Sequence, residues 1–106
     1  MANNESWEEF LMAATAKSRG MTKIQTFSLT AADAASVLLV GDFTQWQQNP
    51  IPMKRDGNGV WSTMIALGAG THRYRFLVDG EWRDDPDCIL RVQNPYGSED
   101  SVRQVQ

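Results

Sequence analysis

The sequence predicts an all-β sandwich preceded by one short α-helix. From Thr22 onward apolar residues recur at every second position, in short runs that turn residues interrupt about every 8 to 12 positions. Only the first 20 or so residues have the period of a helix instead. The chain has 106 residues, the usual size of one domain, and 42% of them are apolar. These observations favour one folded β-domain and leave no room within the 106 residues for a second, catalytic domain.

The helical pattern begins near Ser6, which forms a capping box with Glu9, and Gly20 provides a stop signal. One apolar stripe at spacings of three, four and seven consists of Trp7, Phe10, Leu11 and Ala14. The chain therefore divides into a helix with a linker at residues 1–20 and a β-sandwich at residues 21–106.

A helix of about 11 residues is marginal alone in water, so its stripe should pack on another surface. The sequence allows two possibilities for the surface on which this helix packs. The helix folds back on the chain's own sandwich, or it docks a protein partner through Trp7, Phe10 and Leu11.

Alternation and turn signals predict the strands. Their expected ranges are 22–29, 37–40, a short strand around Met53, 60–67, 72–78 and 101–105. Two tight hairpin turns are indicated by Asp56-Gly57-Asn58-Gly59 and by Asp79-Gly80, since Gly and Asp tolerate the left-handed backbone of such turns. In the strand at 72–78 the even-numbered residues share one face, while Arg73, Arg75 and Leu77 share the other.

Charge and cysteine usage exclude several classes of function. The net charge is −3, so nucleic acid and anionic membranes are poor partners. No segment has the roughly 20 apolar residues that span a bilayer, and the first ten residues carry acids where a secretory signal carries bases. We therefore expect a cytoplasmic protein. Cys88 is the single cysteine, which leaves no internal disulfide and no cysteine-based zinc site.

No catalytic constellation is evident in the sequence. His72 is the single histidine and has no spaced carboxylate or cysteine partner, so a zinc site or a hydrolytic triad has little to build from. Acids cluster between Asp79 and Asp87, but their spacing fits neither a calcium loop nor a helix face. We interpret them as a solvated hairpin edge, and we expect no enzyme activity, no metal and no cofactor.

Two of the four tryptophans stand out by position. Trp46 and Trp82 each follow a polar, hairpin-like turn, whereas Trp61 is in phase with the apolar positions of its own strand. Leaving two indole rings in solvent forgoes about 2 kcal/mol of burial each, which a flat apolar ligand face recovers. The C–H face of a pyranose ring is such a surface, and Arg75, on the outward face of the strand before Trp82, carries donors for its hydroxyls.

Several segments occur together in one order: GDFTQW at 41–46, Trp61 with Ile65 and Leu67, GTHRYRFLVDGEW at 70–82, Asp85-Pro86, and NPYG at 94–97 continuing to Val102. Over about residues 24 to 105 they resemble the family 48 carbohydrate-binding module. That family includes the glycogen-binding domain of the AMP-activated protein kinase β subunit and the N-terminal domains of isoamylases and branching enzymes.

The resemblance implies an early-set, immunoglobulin-like β-sandwich that binds α-1,4-linked glucans such as glycogen, starch or maltooligosaccharides. Position by position, Trp46 and Trp82 match the two stacking tryptophans, and Arg75 matches a basic strand residue that hydrogen-bonds sugar hydroxyls. Tyr96 matches a side chain that projects toward the sugar ring, and Trp61, Tyr74 and Phe76 match core positions. Asp100 falls where the family usually has an Asn that contacts the sugar, and a carboxylate accepts hydrogen bonds but does not donate them.

The sequence thus predicts a non-catalytic module that binds an α-glucan on two tryptophans, with Arg75 and Asp100 as rim hydrogen-bonding groups and Tyr96 as a side wall. The alternative is an adaptor for a kinase-like or glucan-metabolising enzyme, which docks through the helix at 6–17.

Overall fold

Two antiparallel β-sheets packed face to face form the structure, a computed structural model that describes residues 22–106. The all-β sandwich predicted from the sequence is confirmed. The predicted helix, its apolar positions Trp7, Phe10 and Leu11, and the boundary near Gly20 lie outside the described residues. Within the described residues, no helix has the length and apolar character needed to cross a lipid bilayer.

Nine strands occur between residues 22 and 106. They are β1 (Thr22–Thr30), β2 (Val37–Gly41), β3 (Ile51–Pro52), β4 (Lys54–Arg55), β5 (Val60–Gly68), β6 (Gly70–Val78), β7 (Glu81–Arg83), β8 (Arg91–Gln93) and β9 (Glu99–Val105). Two 3-10 turns, Asp42–Thr44 and Trp46–Gln48, follow β2.

Strand β6 is the centre of the larger sheet. The three-stranded sheet has the order β1-β5-β4, and the six-stranded sheet has the order β3-β2-β6-β9-β8. β2 pairs with one edge of β6, while the other edge is divided between β9, which takes residues 70–74, and β7, which takes residues 76–78. As a result, β2, β7 and β9 all lie beside β6.

The chain passes from one sheet to the other at Met53. The sequence predicted one short strand here, but the structure has two, because β3 pairs with β2 and β4 pairs with β5. Met53 lies between them and is 5% exposed, so its side chain anchors the crossing in the core. Pro52 lacks an N–H group and is tolerated because β3 is an edge strand.

Alternation along the strands builds the core as predicted. Phe27 of β1 meets Tyr74 of β6 across the sandwich, with ring centroids 4.8 Å apart in an edge-to-face arrangement. Trp61 is buried and donates its indole N–H to the carbonyl oxygen of Ala31 over 2.9 Å, which confirms it as a packing residue. The outward-facing side chains of β6, including Arg73 and Arg75, are thereby left for the opposite surface.

The β6–β7 hairpin orients β7. Asp79 and Gly80 have φ values of 50° and 84°, as a type I′ turn requires, and this confirms the predicted tight turn. One carboxylate oxygen of Asp79 accepts the backbone N–H groups of Ala35 and Ser36, each over 2.9 Å. The turn is therefore bonded to the segment that leads into β2, and β7 with Trp82 is held against β6.

The acids that follow β7 are partly structural, and the prediction of a solvated edge is wrong for Asp85. Asp85 is 5% exposed, and its carboxylate accepts the hydroxyl of Tyr74 over 2.6 Å. Its other carboxylate oxygen accepts the N–H of Asp87 over 3.0 Å. A buried carboxylate is costly unless it is hydrogen-bonded, so the Tyr74 hydroxyl stabilises this segment beneath β6.

Replacing Tyr74 by Phe removes this donor and leaves Asp85 buried with a weaker set of partners. We expect the free energy of unfolding to fall by about 2 kcal/mol at pH 7, because charge-assisted hydrogen bonds contribute about 1.5 to 3 kcal/mol. Urea unfolding measures it. The matched control is Tyr96→Phe at a tyrosine that is 92% exposed, which should change stability by less than about 0.5 kcal/mol.

The same contact makes the fold sensitive to alkali. Burial, together with the hydrogen bond to Asp85 and its negative charge, raises the pKa of the Tyr74 hydroxyl above its ordinary value of 10.0. A group whose pKa is raised by folding contributes stability that is complete below the unfolded pKa and is lost as the pH rises above it. Above about pH 10 the parent should therefore lose stability more steeply than Tyr74→Phe. Equal slopes would contradict this assignment.

Candidate functional site

A groove of about 980 Å³ crosses the outer surface of the six-stranded sheet. It is lined by Asp42, Trp46, Gln47, Arg73, Arg75, Trp82, Asn94, Pro95, Tyr96, Ser98 and Asp100. All five site residues predicted from the sequence lie in this lining. They come from the turns after β2, from β6, β7 and β9, and from the loop between β8 and β9.

Trp46 is held in a rare backbone conformation. Gln45 and Trp46 both have positive φ, 55° and 57°, although neither is a glycine. Each such residue costs roughly 1 to 2 kcal/mol. The surrounding turn therefore has to impose this conformation, and the result is a half-buried indole that lines the groove rather than the core.

The Thr44 hydroxyl bonds to the backbone of this turn. Thr44 is 3% exposed, and its Oγ1 accepts the N–H of Gly41 over 3.0 Å. The same oxygen lies 2.9 Å from the Gly41 carbonyl oxygen and 2.7 Å from that of Trp46, to either of which it can donate its proton. One buried hydroxyl thus ties the end of β2 to the residue that carries the indole.

Trp82 and Arg75 lie side by side in the same lining. Trp82 pairs with Leu77 of β6 and so shares the outer face of the sheet with Arg75; its side chain is 40% exposed. The guanidinium carbon of Arg75 lies 5.4 Å from the indole centroid, within cation–π range.

Arg75 offers fewer free donors than its sequence position suggests. Its Nε donates to Oδ1 of Asp84 over 3.1 Å, and a terminal nitrogen lies 3.1 Å from the same oxygen. The side chain is 14% exposed. Asp84 therefore fixes the guanidinium beside Trp82 and leaves only part of it to a ligand.

Tyr96 projects from the β8–β9 loop and is 92% exposed. The loop is closed by Asn94, whose Oδ1 accepts the N–H groups of Tyr96 over 3.0 Å and of Ser98 over 3.1 Å. Gly97 completes the turn with a φ of 84°. This is an Asx-type turn, in which the Asn side chain substitutes for a backbone acceptor.

Asp100 lies in the groove wall but not at its rim. It is 3% exposed, and its Oδ1 accepts the side-chain amide of Asn94 over 3.0 Å. Its Oδ2 lies 4.0 Å from a terminal nitrogen of Arg73, whose own side chain is 45% exposed. The carboxylate is thus largely engaged within the protein.

Residues 26–106 match the family model described as the glycogen recognition site of AMP-activated protein kinase. The chain belongs to this family. The resemblance predicted from the sequence is confirmed, and the matched module is a recognition site rather than a catalytic domain.

Relatives of this chain include three different kinds of protein. The chain is 39% identical over 65% of its length to Protein PTST homolog 2, chloroplastic, of Arabidopsis thaliana. It is 33% identical over 82% of its length to the 1,4-alpha-glucan branching enzyme GlgB of Synechococcus sp. strain RCC307, and 34% identical over 66% to 5'-AMP-activated protein kinase subunit beta-1 of Sus scrofa. The matched regions cover 13%, 11% and 54% of those relatives.

Three residues that shape the groove do not follow from the sequence analysis. The sequence predicts that Asp84 belongs to a solvated edge, whereas its carboxylate orients Arg75. In the sequence, Asn94 is part of the NPYG segment and Arg73 is an outward-facing strand residue, and neither position alone indicates a role in the groove. An Asn before Pro-Tyr-Gly is a turn signal that could have identified Asn94, whereas the contacts of Asp84 and Arg73 are made with other segments and have no local signal.

The charges of the groove suit a neutral polar ligand. Two arginines, Arg73 and Arg75, and two aspartates, Asp42 and Asp100, line it, so their formal charges cancel. Three aromatic side chains, Trp46, Trp82 and Tyr96, supply apolar surface in the same lining. An uncharged molecule with one apolar face and many hydroxyls matches both properties better than a phosphate or another anion does.

The Trp46 turn offers a direct test of this local architecture. Thr44→Val removes the hydroxyl at nearly constant volume and leaves buried backbone groups without their partner, so we expect a loss of about 1 to 2 kcal/mol of stability. Thr44→Ser retains the hydroxyl and should lose clearly less. Urea unfolding monitored by tryptophan fluorescence measures both. Equal losses in the two variants would mean that the hydroxyl does not hold the turn.

Proposed function

We propose that this module binds α-1,4-linked glucan chains, such as glycogen, starch or maltooligosaccharides, on a platform formed by Trp46 and Trp82. The observation that carries the proposal is that two partly exposed indoles and Tyr96 line one charge-balanced groove. Membership of a glycogen-recognition family supports the same ligand class.

Stacking supplies the main attraction. The apolar faces of glucose units lie on the two indoles. Each stacked pair removes apolar surface from water and needs no charged partner. The αL backbone of Trp46 supports this assignment, since strained residues of this kind concentrate at functional sites. Tyr96 forms a side wall whose ring covers apolar sugar surface and whose hydroxyl can donate or accept.

Hydrogen bonds fix the orientation of the sugar. Arg75, held by Asp84 beside Trp82, donates to a sugar hydroxyl with the part of its guanidinium that remains free. Asp100 lies in the groove wall with its carboxylate bonded to Asn94, so we assign the hydrogen bond to the sugar to Arg75. We assign no bond-making or bond-breaking step to these residues, so the module acts by binding alone.

The affinity for one short chain should be modest. The groove is shallow and preformed, and a sugar chain loses conformational freedom when it binds, so we expect a Kd on the order of 10 to 1000 μM for a maltooligosaccharide. A long polymer presents many overlapping sites and should be retained more strongly.

Replacing either indole by Ala should weaken binding while the fold survives. We expect Trp82→Ala to cost about 1.5 kcal/mol or more of binding free energy, roughly a tenfold rise in Kd for maltoheptaose, and Trp46→Ala to act in the same direction. Isothermal titration calorimetry measures both. Met64→Ala is a suitable control, because Met64 is 68% exposed, apolar and outside the groove lining.

Equal affinities of the parent and Trp82→Ala would refute the two-tryptophan platform. Co-sedimentation separates the ligand classes: the parent should sediment with insoluble starch and not with cellulose, whose β-linked chains are straight and flat. Retention on both polymers to the same extent would contradict the α-glucan assignment.

A further inference from the structure

Each oxygen of the Asp100 carboxylate has one donor group of the protein beside it. One oxygen accepts the amide of Asn94 over 3.0 Å, and the other faces a terminal nitrogen of Arg73 at 4.0 Å. Asp100 is 3% exposed, and it is one of the residues that line the groove. A buried carboxylate only accepts hydrogen bonds, and the two groups that face it, the Asn94 amide nitrogen and the Arg73 guanidinium, only donate them.

An Asn at position 100 would not match these neighbours. Its oxygen could accept from Asn94, but its amide nitrogen would then face the guanidinium of Arg73, donor against donor. The remaining bond to Asn94 would also lose its charge assistance, which roughly doubles the strength of such bonds. A carboxylate at position 100 therefore matches these neighbours better than an amide does.

Asn94 connects Asp100 to the exposed Tyr96. With its nitrogen directed to Asp100, the Asn94 side chain points its oxygen at the N–H groups of Tyr96 and Ser98. The Asp100 carboxylate thus fixes the orientation of the Asn94 amide, and the Asn94 amide fixes the conformation of the β8–β9 loop. A change at Asp100 should loosen the loop on which Tyr96 lies.

We propose that Asp100 is a positioning residue, which locks the Asn94 amide and through it the Tyr96 loop, and that it does not contact the sugar directly. The proposal rests on the proposed function for its effect on glucan binding. It reverses the expectation that Asp100 is a weakened substitute for a sugar-contacting Asn, because the carboxylate accepts a hydrogen bond from Asn94 within the protein.

The variant Asp100→Asn separates the two interpretations by the sign of its effect. If residue 100 contacts the sugar, Asn restores a donor and binding of maltoheptaose becomes equal or tighter. If Asp100 positions the loop, the Kd should rise by roughly threefold or more, since the loop loses a charge-assisted anchor. Binding that is unchanged or tighter in calorimetry overturns the proposal.

An exchange of the two side chains provides a rescue. Asn94→Asp alone opposes two carboxylates within hydrogen-bond distance and should weaken binding. In the double variant N94D/D100N, the carboxylate at 94 accepts the Tyr96 and Ser98 amides, and the amide at 100 donates to it while its oxygen faces Arg73. The double variant has the parent's charge, and it should recover most of the lost affinity. Failure to recover it counts against the proposal.

A readout without sugar distinguishes failure of this inference from failure of the proposed function. Hydrogen exchange followed by NMR should show faster exchange of the Tyr96 and Ser98 amides in each single variant, return toward the parent in the double variant, and no change in the β6 amides. Uniform acceleration of all amides, or no change at Tyr96 and Ser98, overturns the positioning role. If the parent itself does not bind maltoheptaose, the proposed function fails and these amides still decide the role of Asp100.

Discussion

Strand β6 is the constraint on which both the core and the groove depend. It is bonded along both edges, and its period of two sends Tyr74 and Phe76 into the core and Arg73 and Arg75 onto the outer surface. A slip of one residue would exchange these faces and bury two guanidinium groups, so the register is strongly specified. Fixing the core therefore fixes the floor of the groove, and the loops around β6 need only add aromatic side chains to it.

Three polar anchors hold those aromatic side chains in place. The Thr44 hydroxyl binds the turn of Trp46, the Asp84 carboxylate holds Arg75 beside Trp82, and the Asn94 amide closes the loop of Tyr96. Each anchor consists of hydrogen bonds between groups that lie close together. Each keeps in the groove an aromatic side chain that would gain hydrophobic free energy from burial in the core. A preformed groove binds a flexible sugar chain without having to order itself first, which offsets part of the entropy that the sugar loses.

Much of this structure was predictable from the sequence, because strand alternation and turn chemistry are local signals. The strands near 22–29, 60–67 and 72–78 and the turn at Asp79-Gly80 follow from periodicity, and the candidate lining follows from family motifs. The split of one strand into β3 and β4, the short strand β8 and the burial of Asp85 did not follow. Each depends on a contact between different segments, such as that of Tyr74 with Asp85, and the residue pattern within a single segment does not record such contacts.

The most direct measurement of the central claim is an NMR titration that follows the indole N–H signals during addition of maltoheptaose. Trp61 is an internal reference, because its N–H is bonded to Ala31 within the sandwich. The account predicts that the signals of Trp46 and Trp82 shift together with one dissociation constant while that of Trp61 stays in place. A titration in which binding occurs but neither groove indole shifts would contradict it.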